Sequence, residues 1–190
     1  MSEFLYTNCW FRSDIFEPYT SKFSTRRVTG IEIGCFEGRS TNWLVENWCK
    51  FEESKLLCID PFTGSEEHTA SDKNGLFERF KHNTRSNSHK LELIKKESVY
   101  ALPELISSGL VVDFIYVDGD HHNLSVMIDA ILSDRLLARG GHLIFDDYNW
   151  RLNLDTYDRP RDAIDYFCRI NGDRYSVLIS GANQLHLQKK

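Results

Sequence analysis

No stretch of this 190-residue chain is apolar over the roughly 20 residues that a membrane span requires, and its five cysteines (Cys9, Cys35, Cys49, Cys58, Cys168) form neither a Cys-x-x-Cys pair nor a zinc-ligand spacing. A membrane protein and a dedicated zinc domain are therefore not expected. Basic charge is not in surplus either. The 23 Lys and Arg stand against 28 Asp and Glu, a formal net charge of −5, which argues against bulk nucleic-acid binding. Nor do the first residues read as a secretion signal, since Glu3, Arg12, Asp14 and Glu17 interrupt any apolar stretch. Internal repeats and low-complexity segments are absent as well. What remains is a cytoplasmic chain of one α/β domain, 1–190, with most cysteines buried as thiols in a reducing compartment.

The segment Ile31-Glu32-Ile33-Gly34-Cys35-Phe36-Glu37-Gly38-Arg39-Ser40 carries the most information. An apolar run from Val28 to Ile33 stops at Gly34, and a helical pattern starts after Gly38. A strand that ends in a glycine turn and feeds a helix admits a ligand to backbone amides. Glu32 is the unusual member: a carboxylate suits a cationic ligand and not a phosphate.

From Val28 onward, strand and helix patterns alternate. Strands are expected over 27–33, 56–60, 91–95, 111–117 and 142–145, and helices over 40–50, 99–108, 124–138 and 160–170. In the helix over 124–138 the apolar face is read as Leu124, Ile128, Ile131 and Leu132, with Arg139-Gly140-Gly141 as its end. Such alternation implies a mostly parallel Rossmann-like sheet with helices on both faces. The last two strands, over 174–179 and 184–186, are joined by Gly181-Ala182-Asn183 with no helix between them, so the final strand is expected to run antiparallel. Residues 28–187 form this core. Residues 1–27 hold seven aromatics without a period: Phe4, Tyr6, Trp10, Phe11, Phe16, Tyr19 and Phe23. They read as an arm packed on the core, with a ligand lid or a homodimer contact as the sharper alternatives. Residues 61–90 are irregular. The stretch from Lys73 to Lys96 carries seven basic and two acidic residues, read as a solvated surface or as an attractor for an anionic acceptor.

Ligands of parallel sheets bind at the carboxyl ends of the strands. Those ends deliver Glu32, Asp60, Glu97 with Ser98, Asp118 with Asp120, His121 and His122, and the pair Asp146-Asp147. Each acidic residue alone has a structural explanation, such as Asp60 capping a turn before Pro61 or Asp120 capping a helix. Together at one edge they call for cations. A sulfonium nucleoside, S-adenosylmethionine, would place its amino-acid end near Glu32 and its ribose on Asp60. A divalent metal would find hard oxygens on Asp118, Asp146 and Asp147, as Mg2+ prefers. His121 and His122 make Mn2+, Fe2+ or Zn2+ conceivable.

The ordered set Ile31-Glu32-Ile33-Gly34 with Gly38-Arg39-Ser40, Ile59-Asp60-Pro61-Phe62, Val117-Asp118-Gly119-Asp120-His121 and Phe145-Asp146-Asp147-Tyr148 resembles the class I S-adenosylmethionine-dependent methyltransferases. Within them it resembles the small-molecule O-methyltransferases of the macrocin and catechol type, over roughly Val28 to Leu187. The resemblance implies a seven-stranded methyltransferase sheet. It implies cofactor contacts at Glu32, Gly34, Cys35, Phe36, Ser40, Asp60, Pro61, Ser98 and Asp118, and Mg2+ held by Asp118, Asp146 and Asp147. The metal would lower the pKa of an acceptor hydroxyl, and a base would take its proton. Asp120 and His121 are both candidates for that base. The lysine that catechol enzymes carry after the fourth-strand aspartate is missing, where this chain has His122-Asn123-Leu124. The Asp146-Asp147 pair and the Arg161-Asp162-Ala163-Ile164 helix start lean toward sugar-modifying relatives.

The expected function is metal-assisted O-methylation of a small acceptor, a sugar or a nucleotide-linked molecule. Residues 1–27, 61–90 and 148–160, with Tyr148, Trp150 and Arg151, are expected to line the acceptor pocket. Two alternatives stay in view: a methyltransferase-like binding module without activity, and an NAD-dependent oxidoreductase. The second is disfavoured because Gly34–Gly38 lacks GxGxxG spacing and Glu32 would repel a pyrophosphate.

Overall fold

The computed structural model describes residues 4–66, 68–150, 152, 153, 155, 159–181 and 183–190. Arg151, expected at the acceptor pocket, and Ala182, in the last turn, lie outside the described residues. The seven strands are β1 (Thr29–Ile33), β2 (Lys55–Ile59), β3 (Leu91–Ile94), β4 (Val112–Val117), β5 (Leu137–Phe145), β6 (Tyr175–Gly181) and β7 (Gln184–Lys189). They form one sheet in the order β3-β2-β1-β4-β5-β7-β6. Strands β1 to β5 pair in parallel, and β7 runs antiparallel to both β5 and β6, so the final strand is the reversed one, as expected.

The central strands are apolar on both faces because helices cover both. Side chains alternate between faces along each strand. Ile31, Ile33, Leu57, Ile59, Ile115 and Val117 pack on one side with residues of α5 (Ser98–Ser107), α6 (Asn123–Leu136) and α7 (Arg161–Ile170). Leu56, Cys58, Phe114 and Tyr116 pack on the other with α1 (Thr20–Ser24), α2 (Arg39–Asn47) and α4 (Leu76–Thr84). Gly30 leaves the space that the Phe114 ring fills, since a Cβ there would overlap the ring. The backbone ladder continues past the strand ends: Gly34 N donates to Ile59 O (2.9 Å), Asp118 N to Ile33 O (2.8 Å) and Asp146 N to Val117 O (3.0 Å). These bonds fix the carboxyl edge from which the acidic residues project.

Several expectations need correction. Helix α6 stops at Leu136, and Leu137 to Gly141, including the two glycines, belong to β5. The inward face of α6 is Val126, Asp129, Ala130 and Ser133, whereas Leu124 and Ile131 are exposed. Apolar residues surround this helix, so their spacing does not single out a face. Its small residues allow close approach to the sheet. Residues 61–90 are largely helical, holding α3 (Ala70–Lys73), which is closed by a Thr69–Asp72 capping box, and α4. The basic stretch there is mostly engaged. Arg79 pairs with Glu37, Lys81 with Glu78 and Lys96 with Glu104, while the buried Lys90 donates to the carbonyls of Cys49, Lys50 and Phe51.

The aromatic-rich start of the chain divides in two. Phe16 and Phe23 are fully buried against Trp48, Tyr116 and Phe114. Ahead of them the chain is strapped to the core by Leu5 N donating to Asn83 Oδ1 (2.7 Å) and Thr7 N donating to Glu37 Oε2 (2.7 Å). Among the described residues no helix is long and apolar enough to cross a membrane.

Candidate functional site

Two adjoining cavities lie along the carboxyl edge. The first, about 490 Å3, is walled by Ile33, Asp60, Pro61, Glu97, Ser98, Asp120 and Asp129. The second, about 650 Å3, is walled by Cys35, Arg39, Ser40, His121, Asp146, Asp147 and the N-terminal Tyr6, Trp10 and Arg12. Gly34, Phe36, His68, Asp118 and Gly119 belong to both. Volumes of this order hold a nucleoside-sized ligand and a small second molecule.

The glycine turn joins them. Gly34 (φ 83°) and Gly38 (φ 81°) take the left-handed conformation, and a Cβ on Gly34 would overlap the Asp118 carbonyl. Asp60 holds this turn. Its Oδ2 accepts from Cys35 N (2.8 Å) and Phe36 N (2.9 Å), and its Oδ1 accepts from Phe62 N (2.6 Å). Burial raises the Asp60 carboxyl, and these amides pull it back. Phe36 (φ 45°) stacks on His68 with ring centres 4.6 Å apart. The Cys35 thiol is buried, which pushes it well above its ordinary value, so only the backbone of Cys35 is offered to a ligand.

Glu32 is placed differently from the sequence expectation. It is fully buried and lines neither cavity. Its two oxygens accept from Ser40 Oγ and from Thr41 Oγ1 (2.5 Å), in the first turn of α2. Desolvation raises its pKa to about 7 against the pull of those hydroxyls. Glu32 thus ties β1 to α2 beneath the glycine turn.

The fourth- and fifth-strand acids are also sorted. Ligand atoms of Asp118, His121 and Asp147 all lie within 4.8 Å of one another. His121 Nε2 is 2.9 Å from Asp147 Oδ2 and 4.0 Å from Asp118 Oδ1. Asp146 turns elsewhere: Oδ2 accepts from the Tyr116 hydroxyl and from Gln184 Nε2 (2.7 Å), and Oδ1 from Asp147 N (2.8 Å). Asp147 (φ 53°) is held by Asn183 Nδ2, which donates to its Oδ1 (2.7 Å). Desolvation, then the Asp146 charge, pushes the Asp118 carboxyl well above the usual range, and His121 opposes both. The two base candidates part company. His121 lines the second cavity, beside Trp150 (ring centres 4.5 Å apart). Asp120 lines the first, where desolvation is outweighed by bonds from Ser125 Oγ (2.6 Å) and His122, leaving its pKa lowered.

Sequence reasoning missed several residues. Asp129, on the inner face of α6, walls the first cavity with Oδ1 buried and unpaired, and desolvation raises it to about 7. Its signal was an acid on the helix face opposite the exposed apolar residues. Asn183 and Gln184 gave no signal beyond marking a turn. Glu37 is buried at 2% exposure, accepting from Thr7 and from Arg79 Nε (2.5 Å).

A sheet in this strand order with its last strand reversed, carrying a glycine turn and acids at the carboxyl edge, defines the methyltransferase class. A sequence model described as a methyltransferase domain matches residues 31–148, more than half of the chain, and the chain belongs to that family. A curated relative, "Uncharacterized protein R132" of Acanthamoeba polyphaga mimivirus, is 29% identical over 136 residues, 70% of this chain and 58% of the viral protein. The chain thus matches less than two thirds of that relative. Among solved structures, TomG of Streptomyces achromogenes, an O-methyltransferase of tomaymycin synthesis in complex with SAM, is similar with a TM-score of 0.66 at 16% identity, over 94% of this chain and 80% of TomG. The calicheamicin methyltransferase CalS11 gives 0.63 at 13%, over 93% and 78%. MycE of the mycinamycin pathway, in complex with Mg, SAH and mycinamycin VI, gives 0.64 at 15%, over 99% and 50%. These likenesses show the shared fold.

Proposed function

We propose that this chain is an S-adenosylmethionine-dependent O-methyltransferase that uses a divalent metal to methylate a small hydroxylated acceptor. The observation that carries the reading is the meeting of the two cavities at Asp118-Gly119, with the Asp118, His121 and Asp147 group on the second cavity's wall. The first cavity suits the adenosine, between Asp60, Pro61 and Ser98, with the amino-acid end following Gly34 to Ser40 into the second.

The residues present fit a metal. Two carboxylates and an imidazole converge, and crowding among Asp118, Asp146 and Asp147 is relieved by a cation. Asp118, Asp147 and His121 would hold the ion, and Asp146, its oxygens taken by Tyr116, Gln184 and Asp147 N, acts as a positioning residue. A bound divalent ion supplies Lewis acidity that makes an acceptor hydroxyl a better nucleophile. The protein's own part is to orient. Asn183 fixes Asp147, and Trp10, 60% exposed on the cavity wall beside Phe36 and His68, offers an aromatic face to a ring-shaped acceptor such as a sugar.

The test is to titrate SAH and Mn2+ separately into the protein and into Asp147→Asn and His121→Ala. SAH binding by all three, with Mn2+ binding weakened in both variants, is the expected result. Absence of SAH binding by the native chain would remove the methyltransferase reading. Unchanged Mn2+ binding by His121→Ala would take His121 out of the ligand set.

A further inference from the structure

Arg39 opens α2 directly after Gly38 and lines the second cavity beside Gly34, Cys35, Phe36 and Ser40. Its guanidinium lies over the Tyr6 ring, 4.2 Å from the centroid. That ring is itself fixed, since Asn42 Nδ2 donates to the Tyr6 hydroxyl (2.9 Å). The Arg39 Nε is buried and has no acceptor, and among the described residues no carboxylate pairs with this guanidinium. The other charged groups on this stretch of wall are engaged. Arg12 is bound to Asp14 (2.9 Å), and Glu37 accepts from Thr7 and Arg79. A buried guanidinium donor without a partner is costly, and a planar fork of N–H groups matches a carboxylate.

The surroundings favour an anion at this spot. Helix α2 has no side-chain cap, so its first amides and the positive end of its dipole face the same turn. Glu32, at the end of β1, is withdrawn beneath the helix by Ser40 and Thr41 and does not compete. A guanidinium beside the glycine turn, with an unpaired Nε, suits the carboxylate of an α-amino acid group.

We infer that Arg39 receives the α-carboxylate of the nucleoside cofactor and selects a cofactor that carries its amino-acid end. This rests on the proposed S-adenosylmethionine-dependent reading. It assigns the amino-acid end to Arg39, where the sequence alone had pointed to Glu32.

The experiment is isothermal titration of three ligands into the native chain, Arg39→Met and Arg39→Lys. The ligands are S-adenosylmethionine, its decarboxylated analogue, which lacks only the carboxylate, and 5′-methylthioadenosine, which lacks the whole amino-acid end. A charge-assisted bidentate contact predicts that the native chain prefers the carboxylated ligand by about 10- to 100-fold. Arg39→Met should lose that preference while binding 5′-methylthioadenosine as the native chain does, and Arg39→Lys should regain part of it. Persisting discrimination in Arg39→Met, or equal loss of all three ligands, would overturn the assignment. A native chain that binds none of them refutes the methyltransferase reading instead, so the two failures are distinguishable.

Discussion

Replacing Glu32 by Gln should flatten one component of the pH dependence of stability. The carboxyl sits at zero exposure between β1 and α2, with Ser40 and Thr41 hydroxyls on its two oxygens. Desolvation raises its pKa from 4.5 to about 7. In the unfolded chain it ionises near its ordinary value, so between about pH 4.5 and 7 the folded state holds a proton that the unfolded state has released. Stability from this group therefore falls as pH rises through that window. The shift corresponds to a full swing of about 3 kcal/mol, of which about 2 kcal/mol falls between pH 5.5 and 8. For a domain of this size, about 2 kcal/mol moves the melting temperature by roughly 4–8 °C. Gln keeps the shape and a hydrogen-bonding head but cannot ionise. Thermal melts of both proteins across this range should converge toward high pH if Gln is the less stable at low pH, or diverge if it is the more stable. The difference between them must change by the stated amount. Parallel curves would show that Glu32 titrates as in the unfolded chain, and that the account of it as a buried, largely protonated tie is mistaken.

Gly34→Ala should destabilise by at least about 2 kcal/mol, because the new methyl overlaps the Asp118 carbonyl at a positive φ. Gly109→Ala, with φ 76° but open space around it, should cost only about 1 kcal/mol; urea midpoints of the two variants separate crowding from backbone strain. Glu37→Ala removes the acceptor of Thr7 N and of Arg79, so residues 4–12 should become sensitive to protease while the melting transition of the core persists. Unchanged cleavage would show that other contacts hold the strap.

The parts of this molecule that were legible in the sequence are those set by short-range pattern. Apolar runs ending in Gly34, Asp60, Asp118 and Asp146 marked the parallel strands and their carboxyl edge, and the missing helix before Gln184 marked the reversed strand. What the pattern could not supply was where each carboxylate points. Glu32 alternates with Ile31 and Ile33, so its side was predictable. That α2 would bring Ser40 and Thr41 onto it depended on the turn geometry. The face of α6 was misread because Leu124 and Ile131 are apolar yet exposed, while Asp129 is acidic yet buried. In helix α4 Lys81 pairs locally with Glu78, but the half-buried Arg79 finds its carboxylate in Glu37, distant in sequence. Such a distant pair leaves no local trace.

The reversed hairpin explains how two adjacent aspartates come to differ. Strand β6 pairs antiparallel with β7, and β7 antiparallel with β5, so β6 runs in the direction of the parallel strands. The turn between β6 and β7 must then lie at the carboxyl edge, beside the end of β5. A further parallel strand in place of β7 would start at the opposite edge and place no turn there. From this turn Gln184 reaches Asp146, while Asn183 bonds Asp147, and its carbonyl accepts from Tyr148 N (2.7 Å). Asn183 is itself left-handed (φ 73°), as is Asp147, so two strained residues brace one another. The result is one aspartate fastened to Tyr116 and Gln184 and its neighbour turned toward His121. Like charges on adjacent residues would otherwise repel or share a proton. Distinct partners let them occupy one edge in different orientations, and Asn183 and Gln184 among those partners come from the turn into the strand that breaks the parallel order.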